Sequence, residues 1–112
     1  MQDLSGIKTQ LTDLSDFLVA LGDEKRQAIL IELMSAENGV EGLRVTDLTD
    51  ATDLSRPAIS HHIKILMQAH LIERRSEGTR NYYYLSHDLS QINQLQDMIS
   101  SVKKIIKESG RE

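Results

Sequence analysis

The spacing of the apolar residues changes twice along this chain, and that change constrains the fold more than any other feature. Up to about Ala69 the apolar positions recur mainly at steps of three and four, the period of amphipathic helices. After Leu71 the period shortens. Leu71–Ser76 and Asn81–Leu85 are predicted as two strands, the second carrying the strand-forming run Tyr82, Tyr83, Tyr84. Glu77-Gly78-Thr79-Arg80 joins them as a short hairpin. From Asp88 the helical period returns with Leu89, Ile92, Leu95, Ile99, Val102 and Ile106. The chain is therefore predicted to be mainly α with one β-hairpin, in the order α-α-α-α-β-β-α.

Local signals place the helix ends. Leu4, Ile7, Leu11, Leu14, Leu18 and Leu21 form one apolar stripe, so residues 1–21 are predicted to hold a single helix, broken by Gly22. Asp23 is a good N-cap for a second helix carrying Ala28, Ile29, Leu30, Leu33 and Met34. Asn38-Gly39 is predicted to stop it, both residues tolerating the left-handed conformation. Residues 39–45 form a loop or short extended piece. A short helix follows over Thr46 to Thr52, with Leu48 and Ala51 inward. Ser55 then caps a longer helix to about Ala69, with Pro57 allowed in its first turn. The last helix spans 88–109. The 112 residues suit one domain, 1–112, large enough to bury roughly two thirds of its unfolded surface.

Composition removes several function classes. There is no Cys, which excludes disulfides, thiolate metal sites and cysteine catalysis. No apolar run approaches the roughly 20 residues of a membrane span. Met1-Gln2-Asp3-Leu4 has neither the basic nor the apolar region of a signal peptide. A cytoplasmic protein with no membrane partner is the expectation. The net charge of −4 argues against nucleic acid, but the charges are uneven. Residues 1–54 carry −7, residues 55–85 carry +3 and residues 86–112 carry 0. A local basic face is what phosphate contacts need, whatever the total.

Inside that basic segment, residues 46–69 have the layout of a helix-turn-helix, two helices separated by a turn around Asp53-Leu54. At 100° per residue, Ile59, Ile63, Leu66 and His70 share one side of the second helix. Arg56, Ser60, His61, Lys64 and Gln68 share the opposite side, and no carboxylate occurs between Ser55 and Ile72. Cations, hydroxyl, imidazole and amide all meet phosphates or base edges. Arg56, Ser60 and His61 are expected to read bases, and Lys64, Ser55 and Arg80 to hold phosphates. Arg74, Arg75 and Arg80 place further cations on the hairpin, whose 76–81 tip can reach an adjacent groove. His62 lies between the faces and is expected to be half-buried and structural. Ser60, His61 and His62 point apart on a helix and no acid orients a histidine, so no enzyme site is expected.

The stretch Asp53-Leu54-Ser55-Arg56-Pro57-Ala58-Ile59-Ser60-His61-His62-Ile63-Lys64-Ile65-Leu66 resembles the recognition helix of the ArsR/SmtB family of bacterial winged-helix repressors. Leu21-Gly22-Asp23-Glu24-Lys25-Arg26-Gln27-Ala28-Ile29-Leu30 is similar to the family's second helix, which typically begins L-[AG]-D-x-x-R-x-x-I-L. Gly78-Thr79-Arg80 and Tyr82-Tyr83-Tyr84-Leu85 resemble its wing and following strand, so that 71–85 would be the wing. The resemblance covers residues 21–85. It implies a winged helix-turn-helix and places Ser55, Arg56, Ser60, His61 and Lys64 at DNA-facing positions.

The family's sensor motifs are missing. Where many members have E-L-C-V-C-D-L, this chain has Gly42-Leu43-Arg44-Val45-Thr46-Asp47-Leu48, and both thiolate positions are lost. At the zinc positions of the last helix it offers His87, Leu89, Ser100 and Lys103, too few ligands. His61 and His62 diverge, and His70 is expected to pack on the apolar side. No metal or cofactor is expected, and no inducer follows from the residues. Asp53 stands where the turn often has Gly, and it tolerates positive φ. The apolar stripe Leu89, Ile92, Leu95, Ile99, Val102 and Ile106 is expected to form a twofold interface, as the resemblance also implies. The expected function is a homodimeric repressor that binds an inverted-repeat DNA operator through residues 55–69 and 76–81. The rival is a winged-helix protein-interaction module with no DNA role.

Overall fold

The computed structural model describes residues 4–36 and 42–110. Its elements are α1 (Ser5–Asp13), α2 (Ser15–Leu21), α3 (Glu24–Ser35), α4 (Val45–Thr52), α5 (Arg56–Gln68), β1 (Ile72–Glu77), β2 (Arg80–Leu85) and α6 (Ser90–Glu108). They form two compact units, one of α1 with the segment from Asp88 onward, the other of Asp16–His87.

The single helix expected over 1–21 is instead two. Leu14 takes φ −91° and ψ 2° at the end of α1, and the Ser15 hydroxyl turns back to donate to the Leu11 carbonyl at 2.9 Å. Leu14 is wholly buried, so packing sets the break where neither Gly nor Pro marks it. The order is thus five helices before the hairpin rather than four.

The Asp16–His87 unit has the winged-helix arrangement. Asp23 caps α3 as expected, its Oδ1 accepting from the amides of Lys25 (2.8 Å) and Arg26 (3.0 Å). These bonds to the ionised carboxylate, Arg26's first among them, hold its pKa below the usual 3.8. Helix α3 ends at Ser35; Asn38-Gly39, expected to stop it, lies outside the described residues. Ala20, Ile29, Leu33, Leu48, Ile59, Leu66 and Ile72 fill the core, which joins α2, α3, α4, α5 and β1.

The hairpin turn is tighter than expected. Glu77 pairs with Arg80, leaving only Gly78 (φ +61°) and Thr79 as loop. On the other edge of β2, Leu43 and Tyr83 exchange two backbone bonds of 2.8 Å, so Leu43 contributes a one-residue strand. Gly42 makes this approach feasible. Its φ is +104°, and a Cβ there would sit 2.6 Å from the Tyr83 carbonyl oxygen.

His70 does not pack on the apolar side of α5. The helix stops at Gln68, and His70 is exposed with φ +60°. Its amide donates to Met67 O and that of Leu71 to Leu66 O, both at 3.0 Å, which is the Schellman closure with histidine at the usual glycine position.

Candidate nucleic-acid interface

Helices α4 and α5 meet through a tight turn. Asp53 supplies the left-handed residue (φ 59°) that ends α4, its amide donating to Thr49 O at 3.2 Å. Two residues on, Ser55 Oγ accepts from the Ala58 amide at 3.3 Å and starts α5, with Pro57 in the first turn where no helical amide is needed. The Ser55 hydroxyl proton remains available to a phosphate.

Burial then sorts the two faces of α5. Ile59, Ile63 and Leu66 are at most 4% exposed, while Arg56, Ser60, His61, Lys64 and Gln68 are exposed. The structure thus brings Ser55, Arg56, Ser60, His61 and Lys64 to one solvent-facing surface. The two adjacent imidazoles part company. His61 faces outward, whereas His62 is buried, more deeply than the half-burial expected.

Burial lowers the pKa of His62 below 6.5. The nearby Arg26 charge works in the same direction, and Asp23 opposes it. Arg26 itself is buried. Its Nε donates to Ala20 O at 2.9 Å and its Nη2 to Val19 O at 3.2 Å, both in the last turn of α2, and Nη1 lies 3.3 Å from His62 Nδ1. One guanidinium therefore ties the end of α2, the start of α3 and the middle of α5. In the sequence Arg26 is legible only as one letter of the L-[AG]-D-x-x-R-x-x-I-L motif. Its signal was a lone cation three residues after a capping Asp.

On the hairpin, Arg80 is exposed beside the turn. Arg75 is half-buried, with its guanidinium 4.9 Å from the Tyr82 ring centroid and Nη2 3.7 Å from Glu77 Oε2. These two residues share one face of the ladder with it, since Arg75 pairs with Tyr82 and Glu77 with Arg80. Arg56, expected to meet base edges, and Arg80, expected to hold phosphates, line one cleft of about 110 Å³, together with Arg44 at the start of α4. Arg44 was not singled out from sequence as a site residue.

Comparison with known proteins bears on what this surface does. A family model described as bacterial regulatory protein, arsR family, matches residues 23–74. An uncharacterised HTH-type transcriptional regulator of Methanocaldococcus jannaschii is 39% identical over 74 residues, 66% of this chain and 79% of that protein. The arsenical resistance operon repressor of Staphylococcus xylosus is 36% identical over 90 residues, 80% of this chain and 82% of that one. Among solved structures, NolR of Sinorhizobium fredii aligns over 100% of both chains with a TM-score of 0.63 and 26% identity. Reduced HlyU of Vibrio cholerae aligns over 80% of this chain and 90% of its own, with a TM-score of 0.64 and 26% identity.

Proposed function

The chain belongs to the ArsR family of bacterial regulatory proteins, which are DNA-binding transcription regulators, and from that premise we propose that it is a cytoplasmic, homodimeric repressor of an inverted-repeat operator. The observation that carries the reading is the outer face of α5. It is exposed and carboxylate-free, with two cations, a hydroxyl and an imidazole above a fully packed inner face. In this reading the helix enters the major groove. Arg56, Ser60 and His61 meet base edges, and Lys64, Ser55 and Arg80 hold phosphates. Arg75 contributes from the wing, with Glu77 offsetting part of its charge. The acidic first half of the chain keeps DNA off the remaining surface.

Dimerisation through α6 would set two recognition helices about one turn of DNA apart, roughly 34–36 Å. In support, Leu89, Ile92, Ile99, Val102 and Ile106 are all at least 39% exposed in the single chain, and Leu95 is half-buried.

Binding to fragments of its own promoter tests the reading. Affinity should fall steeply with salt, the log–log slope growing by about 0.9 for each phosphate neutralised. Arg56→Ala and His61→Ala should fold normally yet each lose about 1–3 kcal/mol of discrimination between operator and random DNA. Unchanged discrimination in both variants rejects the assignment of α5. A wild-type chain with no affinity for any promoter fragment supports the protein-interaction rival instead.

A further inference from the structure

We propose that the cleft between the start of α4, the start of α5 and the wing is a seat for a phosphate-type oxyanion. Three arginines line it, Arg44, Arg56 and Arg80. They come from three separate segments, so the fold and not local sequence assembles the charge. Among the described residues none of the three is ion-paired. The Asp47 carboxylate lies nearby in sequence but is engaged, its Oδ2 accepting from the Arg44 amide at 2.8 Å. Three like charges around a small concavity repel one another until an anion enters.

The neutral groups fit the same ligand. Thr46 and Thr79, each bearing a hydroxyl, also line the cleft. Asn81 also lines the cleft, and its Oδ1 is taken by the Ser76 hydroxyl at 2.7 Å, which leaves its NH₂ to donate. Every polar lining side chain can thus donate, none is a carboxylate, and the buried Tyr83 lines the cleft with them. A volume of about 110 Å³ admits a phosphate group but does not enclose a nucleotide. Guanidinium forks match the oxygens of a tetrahedral oxyanion and are wasted on a chloride ion.

The phosphate has two sources. It is either a backbone phosphate of bound DNA, pinched between wing and helix-turn-helix, or free inorganic phosphate. In the second case the anion competes with DNA, because Arg56 and Arg80 serve both. Only the choice of source rests on the DNA-binding reading; the anion chemistry stands without it.

The test is a titration of the isotopically labelled full chain with inorganic phosphate, set against chloride at equal ionic strength, followed by amide NMR. Saturable shifts at Thr46, Thr79 and Asn81 are expected with phosphate and not with chloride. They should vanish in Arg44→Gln and persist in weaker form in Arg44→Lys. Salt titrations of promoter binding then separate the sources. A log–log slope about one unit shallower in Arg44→Gln assigns the seat to DNA. An unchanged slope, with phosphate weakening wild-type DNA binding more than chloride does, assigns it to the free ion. Absence of saturable shifts in the wild type, together with an unchanged slope in Arg44→Gln, overturns the proposal. A wild type that shows the phosphate shifts but binds no promoter fragment supports the seat and rejects the DNA reading alone.

Discussion

Nη1 of Arg26 lies 3.3 Å from Nδ1 of His62, across 36 residues of sequence. An arginine only donates, so the contact is a hydrogen bond only when Nδ1 of His62 is unprotonated and its ring proton is on Nε2. The pair therefore selects a neutral imidazole in α5, the helix proposed to carry the DNA-facing residues.

Removing Arg26 should be costly because three acceptors lose a donor together. Arg26→Ala leaves Ala20 O and His62 Nδ1 without this donor at a site only 8% exposed, while Val19 O keeps the Gly22 amide at 3.1 Å. A loss of at least about 3 kcal/mol is expected, from one to two bonds to a charged donor plus the buried groups left behind. Arg26→Lys keeps the charge but cannot fork to three acceptors, and should lose about half as much. Urea midpoints at constant m-value measure both. A loss under about 1 kcal/mol in Arg26→Ala would show that the tie between α2, α3 and α5 is dispensable.

Burial of the same imidazole makes stability depend on pH in one direction. Burial lowers the folded pKa of His62 below its unfolded value of 6.5, so between the two the unfolded chain binds the proton and the fold does not. The stability contributed by neutral His62 is complete above pH 6.5 and is lost as pH falls through the lower folded value. Asp23, whose pKa is lowered from 3.8, adds a second loss only in stronger acid. Urea midpoints followed downward from neutrality should fall in the wild type and stay flatter in His62→Gln. Parallel curves would remove His62 as the cause.

Most of the fold was legible because local chemistry and tertiary packing agree. The Asp23 and Ser55 caps, the Asp53 turn and the inner face of α5 all follow from residue type and period. The break at Leu14 was not legible, since the apolar stripe runs through it at unbroken helical spacing. Nor was the position of His70, because extending α5 by two residues on paper rotates that side chain onto the buried face. The outer face of α5 was readable as one helix surface. The convergence of Arg44 with Arg56 and Arg80 was not. It depends on the Leu43–Tyr83 bridge, which draws the start of α4 against the wing.

His70 offers a stabilising change. It is exposed and sits at φ +60°, a conformation that costs a non-glycine residue roughly 1–2 kcal/mol. His70→Gly should relieve that strain while keeping the Schellman bonds of His70 N and Leu71 N. The greater freedom of glycine in the unfolded chain offsets part of the gain, so a net rise of about 0.5–1 kcal/mol is expected. A fall in thermal midpoint would mean that the imidazole makes a contribution absent from its contacts here.

The two faces of α6 are inverted relative to an ordinary surface helix, and this supports the proposed dimer most directly. The stripe Gln91, Gln94, Met98, Ser101 and Ile105 is buried or half-buried, although three of its five members are polar. The stripe Ile92, Leu95, Ile99, Val102 and Ile106 repeats at steps of three and four, is wholly apolar and has four exposed members. That spacing is the seam of paired helices, and each Ile or Val covered by a partner contributes on the order of 1 kcal/mol, since only its exposed 39–48% remains to be buried. The wild type should therefore run at about twice its 12.7 kDa at micromolar concentration. Ile99→Glu introduces a charge at a position 48% exposed in the single chain, so it should leave the helical content intact while halving the mass. Operator affinity should drop by about a hundredfold or more as the two half-sites cease to be linked. A wild-type mass of 12.7 kDa under these conditions would reject the α6 interface, and with it the inverted-repeat operator.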